Sequence, residues 1–183
     1  MAEKLKNPRT ATFLMAVMIA AAILLGGGRS LRALARDVED IFWNGEAGDG
    51  IGVASDIGKN RDDGYNLLSV ARNYPLSDGA LDALEDAVEH LDRAGRDIES
   101  LYQGNAALTR AATTVYEELG LQALSERDET YQQSLYHNIL GRNDTMRRDG
   151  YNAAAQSFNQ KLTRFPANLL HVVTFVTPAP LFR

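Results

Sequence analysis

Thr10 to Gly28 is a run of 19 residues without a charge, and it holds Phe13, Leu14, Met15, Val17, Met18, Ile19, Ile23, Leu24 and Leu25. As a helix it would be about 28 Å long, close to the roughly 30 Å hydrocarbon core of a bilayer. Lys4, Lys6 and Arg9 precede it, and Arg29, Arg32 and Arg36 follow. The pattern predicts a short basic tail over residues 1–9 and a single transmembrane helix over residues 10–28. Two other readings compete. Ala33-Leu34-Ala35 has the small-x-small form of a signal-peptide cleavage site, with cleavage after Ala35. Against it, the apolar run exceeds the usual h-region, and Arg29 and Arg32 would lie just before the cut. A buried core helix would be expected to show a polar face within 19 residues. Three cations on each side leave the positive-inside comparison tied. Thr12, Ala16 and Ala20 form a ladder of small side chains, a pattern of helix-dimer faces and of alanine-rich anchors alike. A homo-oligomer stays open on that ladder, without other support.

Beyond the anchor, helical periodicity dominates. Leu31, Leu34, Val38, Ile41 and Phe42 recur at spacings of three and four, so the anchor continues as a helix to Trp43. Gly45 to Gly52 holds four glycines and interrupts it. Val53 to Asn73 reads as a helix with a turn at Asp62-Asp63-Gly64, ended by Pro75. Ser77 is an N-cap candidate. Leu81, Leu84, Val88, Leu91 and Ile98 then form an amphipathic stripe as far as Tyr102, and Gly104 is expected to break that helix. Asn105 to Leu119 is the next, closed by Gly120. Ser125, with Asp128 three residues on, resembles a capping box. It opens the longest expected helix, Glu126 to Arg164, whose inner face is Tyr131, Leu135, Ile139, Met146, Ala155, Phe158 and Leu162. Pro166 closes it. Long amphipathic helices without strands bury their stripes against one another. The expected fold is all-α: a single N-terminal transmembrane helix, then an antiparallel, four-helix-bundle-like domain over residues 29–164, then an apolar C-terminal tail over residues 165–183.

Charge sharpens this picture. Residues 1–36 carry six Lys/Arg and one acid, residues 37–141 seven and 21, and residues 142–183 six and two. The acidic middle repels phosphate backbones, so no nucleic-acid partner is expected. There is no cysteine, hence no disulfide framework and no thiolate site. Gly48-Asp49-Gly50-Ile51-Gly52 fails as a phosphate loop, because no strand precedes it and no Gly-Lys-Ser/Thr follows. Asp49, Asp56, Asp62 and Asp63 do not fall at EF-hand ligand positions. His90, His137 and His171 lack the Glu-x-x-His spacing of bundle metal sites. No Gly-x-Ser-x-Gly elbow occurs. No enzyme is expected, and no catalytic, cofactor-binding or metal-ligating residue is assigned.

Tyr151-Asn152, Phe158-Asn159 and Phe165-Pro166 are spaced by seven, which places three aromatics on one seam. The asparagines beside them are positioned to hydrogen-bond across helices and set register. Tyr65-Asn66 repeats the pair earlier. With Arg148 before them and Phe165-Pro166-Ala167-Asn168-Leu169 as the stop, these residues resemble the closing signature of the LemA family of bacterial membrane-associated proteins. A weaker likeness runs through Lys59, Arg61, Asn66, Leu67, Val70 and Tyr74. The chain departs from the family at Gly45–Gly52, where members usually continue a helix with an Ala-Trp pair, at Gly64 and at Pro75. It reads as a divergent branch.

The resemblance implies a membrane-tethered bundle of long helices with no agreed enzymatic activity, and it transfers no site residue. The expected role is a non-enzymatic scaffold or interaction module at the bacterial cell membrane. Its partners are the lipid bilayer, through residues 10–28, and another membrane or envelope protein. An alternative is a ligand-binding or sensory domain with a groove near Gly45–Gly52 and the aromatic–Asn seam; a cryptic hydrolase is the weakest reading. The tail holds Leu169, Leu170, Val172, Val173, Phe175, Val176, Leu181 and Phe182 between Arg164 and Arg183. It either folds back to cap the core, the preferred reading, or lies at the membrane interface beside Arg29–Arg36.

Overall fold

The computed structural model describes residues 8–182, and among them the chain is all-α. Seven helices follow one another: α1 (Pro8–Asn44), α2 (Val53–Ala71), α3 (Asp78–Ala94), α4 (Ile98–Leu119), α5 (Glu126–Arg148), α6 (Gly150–Leu162) and α7 (Ala167–Thr174). Most of the expected basic tail, and Arg183, lie outside the described residues. α1 is long and apolar enough to cross a membrane by length and composition. It runs unbroken through Gly26–Gly28 and on to Asn44.

Two compact units divide the chain. One comprises Met1–Glu39 and Ala154–Ala179, the other Asp40–Ala153 and Pro180–Arg183. The division falls inside α1 and inside α6.

In the second unit, α2 packs on α3, α4 and α5, α3 packs on α4, and α4 on α5. The buried stripes are Ile57, Leu67, Leu68 and Ala71 of α2, Leu84, Val88 and Leu91 of α3, Leu108, Ala112, Val115 and Leu119 of α4, and Leu135, Ile139 and Met146 of α5. The Gly45–Gly52 break is a turn. Gly45 has φ +75°, and a Cβ there would stand 2.7 Å from the carbonyl oxygen of Ile51. Asp49 Oδ1 accepts from Ile51 N at 2.9 Å.

Helix boundaries differ from the sequence reading at three places. No turn forms at Asp62-Asp63-Gly64. Gly64 is buried in the middle of α2, where a Cβ would come 2.5 Å from Leu108 Cδ1. The residue is a packing device, letting α4 approach α2 closely, and not a breaker. Gly104 likewise lies inside α4, with its missing Cβ 2.7 Å from a methyl carbon of Leu91. The actual break is at Gly95, with φ +57°, after which Asp97 caps α4 by accepting from Glu99 N and Ser100 N. Ile98 therefore opens α4 and does not close the previous helix. Finally, Glu126 to Arg164 is not one helix. Asp149 is extended at ψ 146°, and its Oδ1 accepts from Tyr151 N at 2.8 Å. That local side-chain bond competes with the helical one and starts α6 anew.

The expected caps form. Ser77 Oγ accepts from Ala80 N at the start of α3, and Ser125 Oγ accepts from Asp128 N at the start of α5. Both carry a second partner. The Glu118 carboxylate accepts from Ser77 N at 2.9 Å and from Ser77 Oγ at 2.6 Å. Tyr74 Oη donates to Asp128 at 2.6 Å. These bonds to the charged form hold both carboxyls below their ordinary pKa values.

Candidate functional site

The first unit presents an apolar exterior. Phe13 is 67% exposed and Leu25 70%, and Met15, Val17, Met18, Ile19, Ile23 and Leu24 are also exposed. The same helix changes character after Gly28, where Leu31 and Val38 are buried. A contiguous apolar face of this extent exceeds what single scattered surface residues account for.

α7 sits at this change of character. Leu170 packs where a side chain on Gly27 would be: a Cβ there would come 2.5 Å from Leu170 Cδ1, and one on Gly28 would come 2.7 Å from the Thr174 methyl. Arg32 reaches the carbonyl oxygen of Thr174 at 3.5 Å. Leu170 and Val176 are buried, whereas Leu169, Val172, Val173 and Phe175 are exposed, Phe175 at 89%. The preferred expectation that the tail buries its apolar residues in the core therefore holds for only part of it.

The aromatic seam is shorter than its heptad spacing predicts. Tyr151 and Phe158 are buried, but Phe165 is 79% exposed, because α6 ends at Leu162 and the chain turns before Pro166. Tyr65 is exposed too, so it does not repeat the pair, and Tyr131 is exposed while its neighbour Gln132 is buried. Both asparagines bond to the backbone of the tail, and Asn152 Nδ2 also donates to the end of α5, at Met146 O (3.1 Å) and Arg147 O (2.9 Å). In the first unit, Asn159 Nδ2 donates to Ala179 O and Ala179 N donates to Asn159 Oδ1, both at 2.8 Å. In the second unit, Asn152 Nδ2 donates to Phe182 O and Phe182 N donates to Asn152 Oδ1, both at 2.9 Å. A side-chain amide presents the same donor–acceptor pair as a peptide group, so each asparagine acts as one rung of a strand.

In the second unit, Phe182 closes an aromatic cluster. It stacks on Phe42 at 5.9 Å between ring centroids and meets Tyr102 edge-on at 5.1 Å. Tyr151 meets Phe42 edge-on at 5.2 Å, and its hydroxyl donates to Pro180 O at 3.0 Å. Burial raises the Tyr151 pKa above its ordinary value.

The core of this unit also holds amides that sequence reasoning did not single out. Asn60 Nδ2 donates to Asn105 Oδ1 at 2.9 Å and to Asn143 Oδ1 at 3.0 Å. Asn105 Nδ2 donates to Asn143 Oδ1 at 3.0 Å, and Asn143 Nδ2 to Thr109 Oγ1 at 2.8 Å. Arg142 donates to Asn60 Oδ1 at 2.9 Å and pairs with Asp63. Burial raises the Asp63 pKa, with Arg142 opposing it. The available signal was position. Asn60 follows Ile57 by three and precedes Leu67 by seven, and Asn105 precedes Leu108 by three, so both fall on apolar faces. Beside this network lies a cleft of about 190 Å³ lined by Tyr102, Asn105, Thr109, Arg110, Asn143 and Phe182, among others. A second hollow of about 240 Å³ adjoins Trp43, Ile57, Arg61 and Leu101.

Ser100 Oγ lies 3.1 Å from His90 Nε2, and the same nitrogen lies 3.1 Å from the carbonyl oxygen of Ser100. A proton on Nε2 donated to that carbonyl removes the lone pair a base would need. Among the described residues no hydrogen bond joins His90 to a carboxylate, and no cluster of His, Asp and Glu could hold a metal ion. No protein-family model, no curated protein and no solved structure matches the chain.

Proposed function

We propose that this chain is a membrane-tethered helical module of LemA-like type, acting as a non-enzymatic scaffold or interaction module at the bacterial cell membrane. Residues 10–28 lie in the bilayer as a single pass, and α2 to α5 form an antiparallel four-helix bundle. The carrying observation is the exposure of the apolar side chains of α1 from Phe13 to Leu25, with the first buried position of its stripe at Leu31. In water such a face would be costly, at about 25 cal/mol for each Å²; in lipid it is the stable arrangement.

The interaction role belongs to the second unit, whose residues 40–153 carry 21 acids against ten Lys/Arg. Its exposed apolar side chains include Ile51, Tyr65, Leu121 and Tyr131, which serve as the candidate contact points. A photo-crosslinking residue at each of these four positions, in intact membranes, tests this. A discrete adduct of fixed mass at one or two positions is expected; no adduct at any of the four would contradict it. A second reading, ligand binding, rests on the cleft where Asn105 and Asn143 converge beside Phe182.

A further inference from the structure

We infer that α7 is a second membrane contact, an interfacial helix whose exposed face enters the headgroup–acyl boundary of an anionic bilayer. The inference rests on the tether reading and extends it to a segment far away in sequence. Three observations carry it.

The first is placement. Leu170 and Thr174 lie on Gly27 and Gly28, the last two residues of the charge-free run. With residues 10–28 spanning the hydrocarbon, α7 is held at the depth where α1 leaves it. The glycines make this possible, because any larger side chain at position 27 would meet Leu170.

The second is the pattern of faces. Leu170 and Thr174, four apart, face α1. Leu169, Val172 and Val173 share a different face and stand exposed, with Phe175 after them. On α1 the exposed Leu24 and Leu25 lie three and two residues before Gly27, so this face continues the lipid-facing surface of the span. A short helix with one side on the protein and the other apolar cannot cross the bilayer; it lies in its boundary.

The third is charge. Residues 8–39 and 154–179 carry six Lys/Arg and two acids, and both acids, Asp37 and Glu39, come after Arg36. Arg32 reaches Thr174 O, Arg164 precedes α7 by three residues, Arg29 follows Gly28 on α1, and no acid occurs between Arg164 and Ala179. Arginines at the edge of an apolar face reach headgroup phosphates while their stems stay on the apolar surface. Of the polar side chains of α7, Asn168 is exposed in its first turn, His171 Nδ1 lies 3.3 Å from Val176 O and Thr174 Oγ1 donates to Leu170 O, so the face formed by Leu169, Val172 and Val173 is hydrocarbon.

The absence of cysteine allows single nitroxide labels throughout the full chain. Val172→Cys and Phe175→Cys carry the test, Ile19→Cys reports the middle of the span, and Leu121→Cys, at a strongly exposed site in the second unit, reports water. Each labelled chain is reconstituted in phosphatidylcholine–phosphatidylglycerol vesicles, and label accessibility to oxygen and to a water-soluble nickel chelate is measured. The oxygen-to-chelate ratio at positions 172 and 175 is expected to exceed that at 121 several-fold and to fall below that at 19, the signature of a shallow apolar depth. Ratios at 172 and 175 equal to that at 121 would overturn the interfacial helix while leaving the tether intact. Labels at 172 and 175 shielded from both reagents would overturn it in favour of a covering protein surface, a second copy included. A label at 19 that reads as water would overturn the tether itself and this inference with it.

Discussion

Phe13, Met18 and Leu25 stand exposed on α1, while Asn60 and Asn105 are buried among the helices of the second unit. One region carries its apolar residues outward, and the other carries amides inward. The same physics explains both once the solvent is specified. An apolar side chain is costly only where it meets water. A buried amide is costly only where it lacks partners, and Asn60, Asn105 and Asn143 supply one another. The charge follows the same division. The unit holding the apolar run is basic, and the helical unit is acidic. The comparison makes α1 the informative element, since it belongs to both regimes.

The comparison can be broken most forcefully at Phe42. It is 0% exposed and touches Trp43, Tyr151 and Phe182. Phe42→Ala should destabilise the second unit by about 3–5 kcal/mol, read by urea unfolding in mild detergent. Phe13→Ala should change the same midpoint by less than about 0.5 kcal/mol. Equal effects would erase the distinction between the two ends of α1. Next in size is the amide network. Asn143→Leu removes the acceptor of Asn60 and Asn105 and the donor to Thr109, at about 2–3 kcal/mol. A neutral or stabilising result would show that the network is not needed for packing. Gly64→Ala should cost about 1–3 kcal/mol by forcing Leu108 off α2.

These residues also mark where the sequence was readable. The extent of α1, the glycine turn and the serine caps are local: each depends on a few neighbouring residues, and each formed where its pattern stood. Gly64 and Gly104 misled because a glycine breaks a helix only if nothing needs its missing side chain. Here Leu108 and Leu91 occupy that space, information held by other helices. Asp149 escaped notice because the apolar stripe continues across it from Met146 to Phe158. The tail partners of Asn152 and Asn159 lie 20 to 30 residues on, and no local rule pairs an asparagine with a distant backbone. The amide network was half legible, since polar residues on apolar faces are visible, whereas their mutual contacts are not.

Smaller effects refine the comparison further. Asn159→Ala removes both bonds to Ala179 and should cost about 1–2 kcal/mol, seen as faster hydrogen exchange of the Ala179 amide. Exchange unchanged from wild type would show that the clamp does not hold the tail. The smallest effect concerns pH. Glu118 and Asp128 sit below their ordinary pKa values, so they bind protons less readily folded than unfolded. Their contribution is full above the unfolded pKa of about 4 and is lost as pH falls through the folded values. Glu118→Gln should therefore lower the unfolding midpoint at neutral pH, and the difference from wild type should close at lower pH. A gap that widens in acid would reverse the sign.

Extraction of native membranes with alkaline carbonate, followed by intact-mass measurement, tests the central claim directly. The account predicts that the full chain stays in the pellet with residues 10–28 still attached. Replacing Ile19 and Ile23 together by lysine should move it to the supernatant, since each charge at mid-span costs about 2.5–3.5 kcal/mol on insertion scales. A wild-type chain released by carbonate, or one whose mass begins at Arg36, would contradict it.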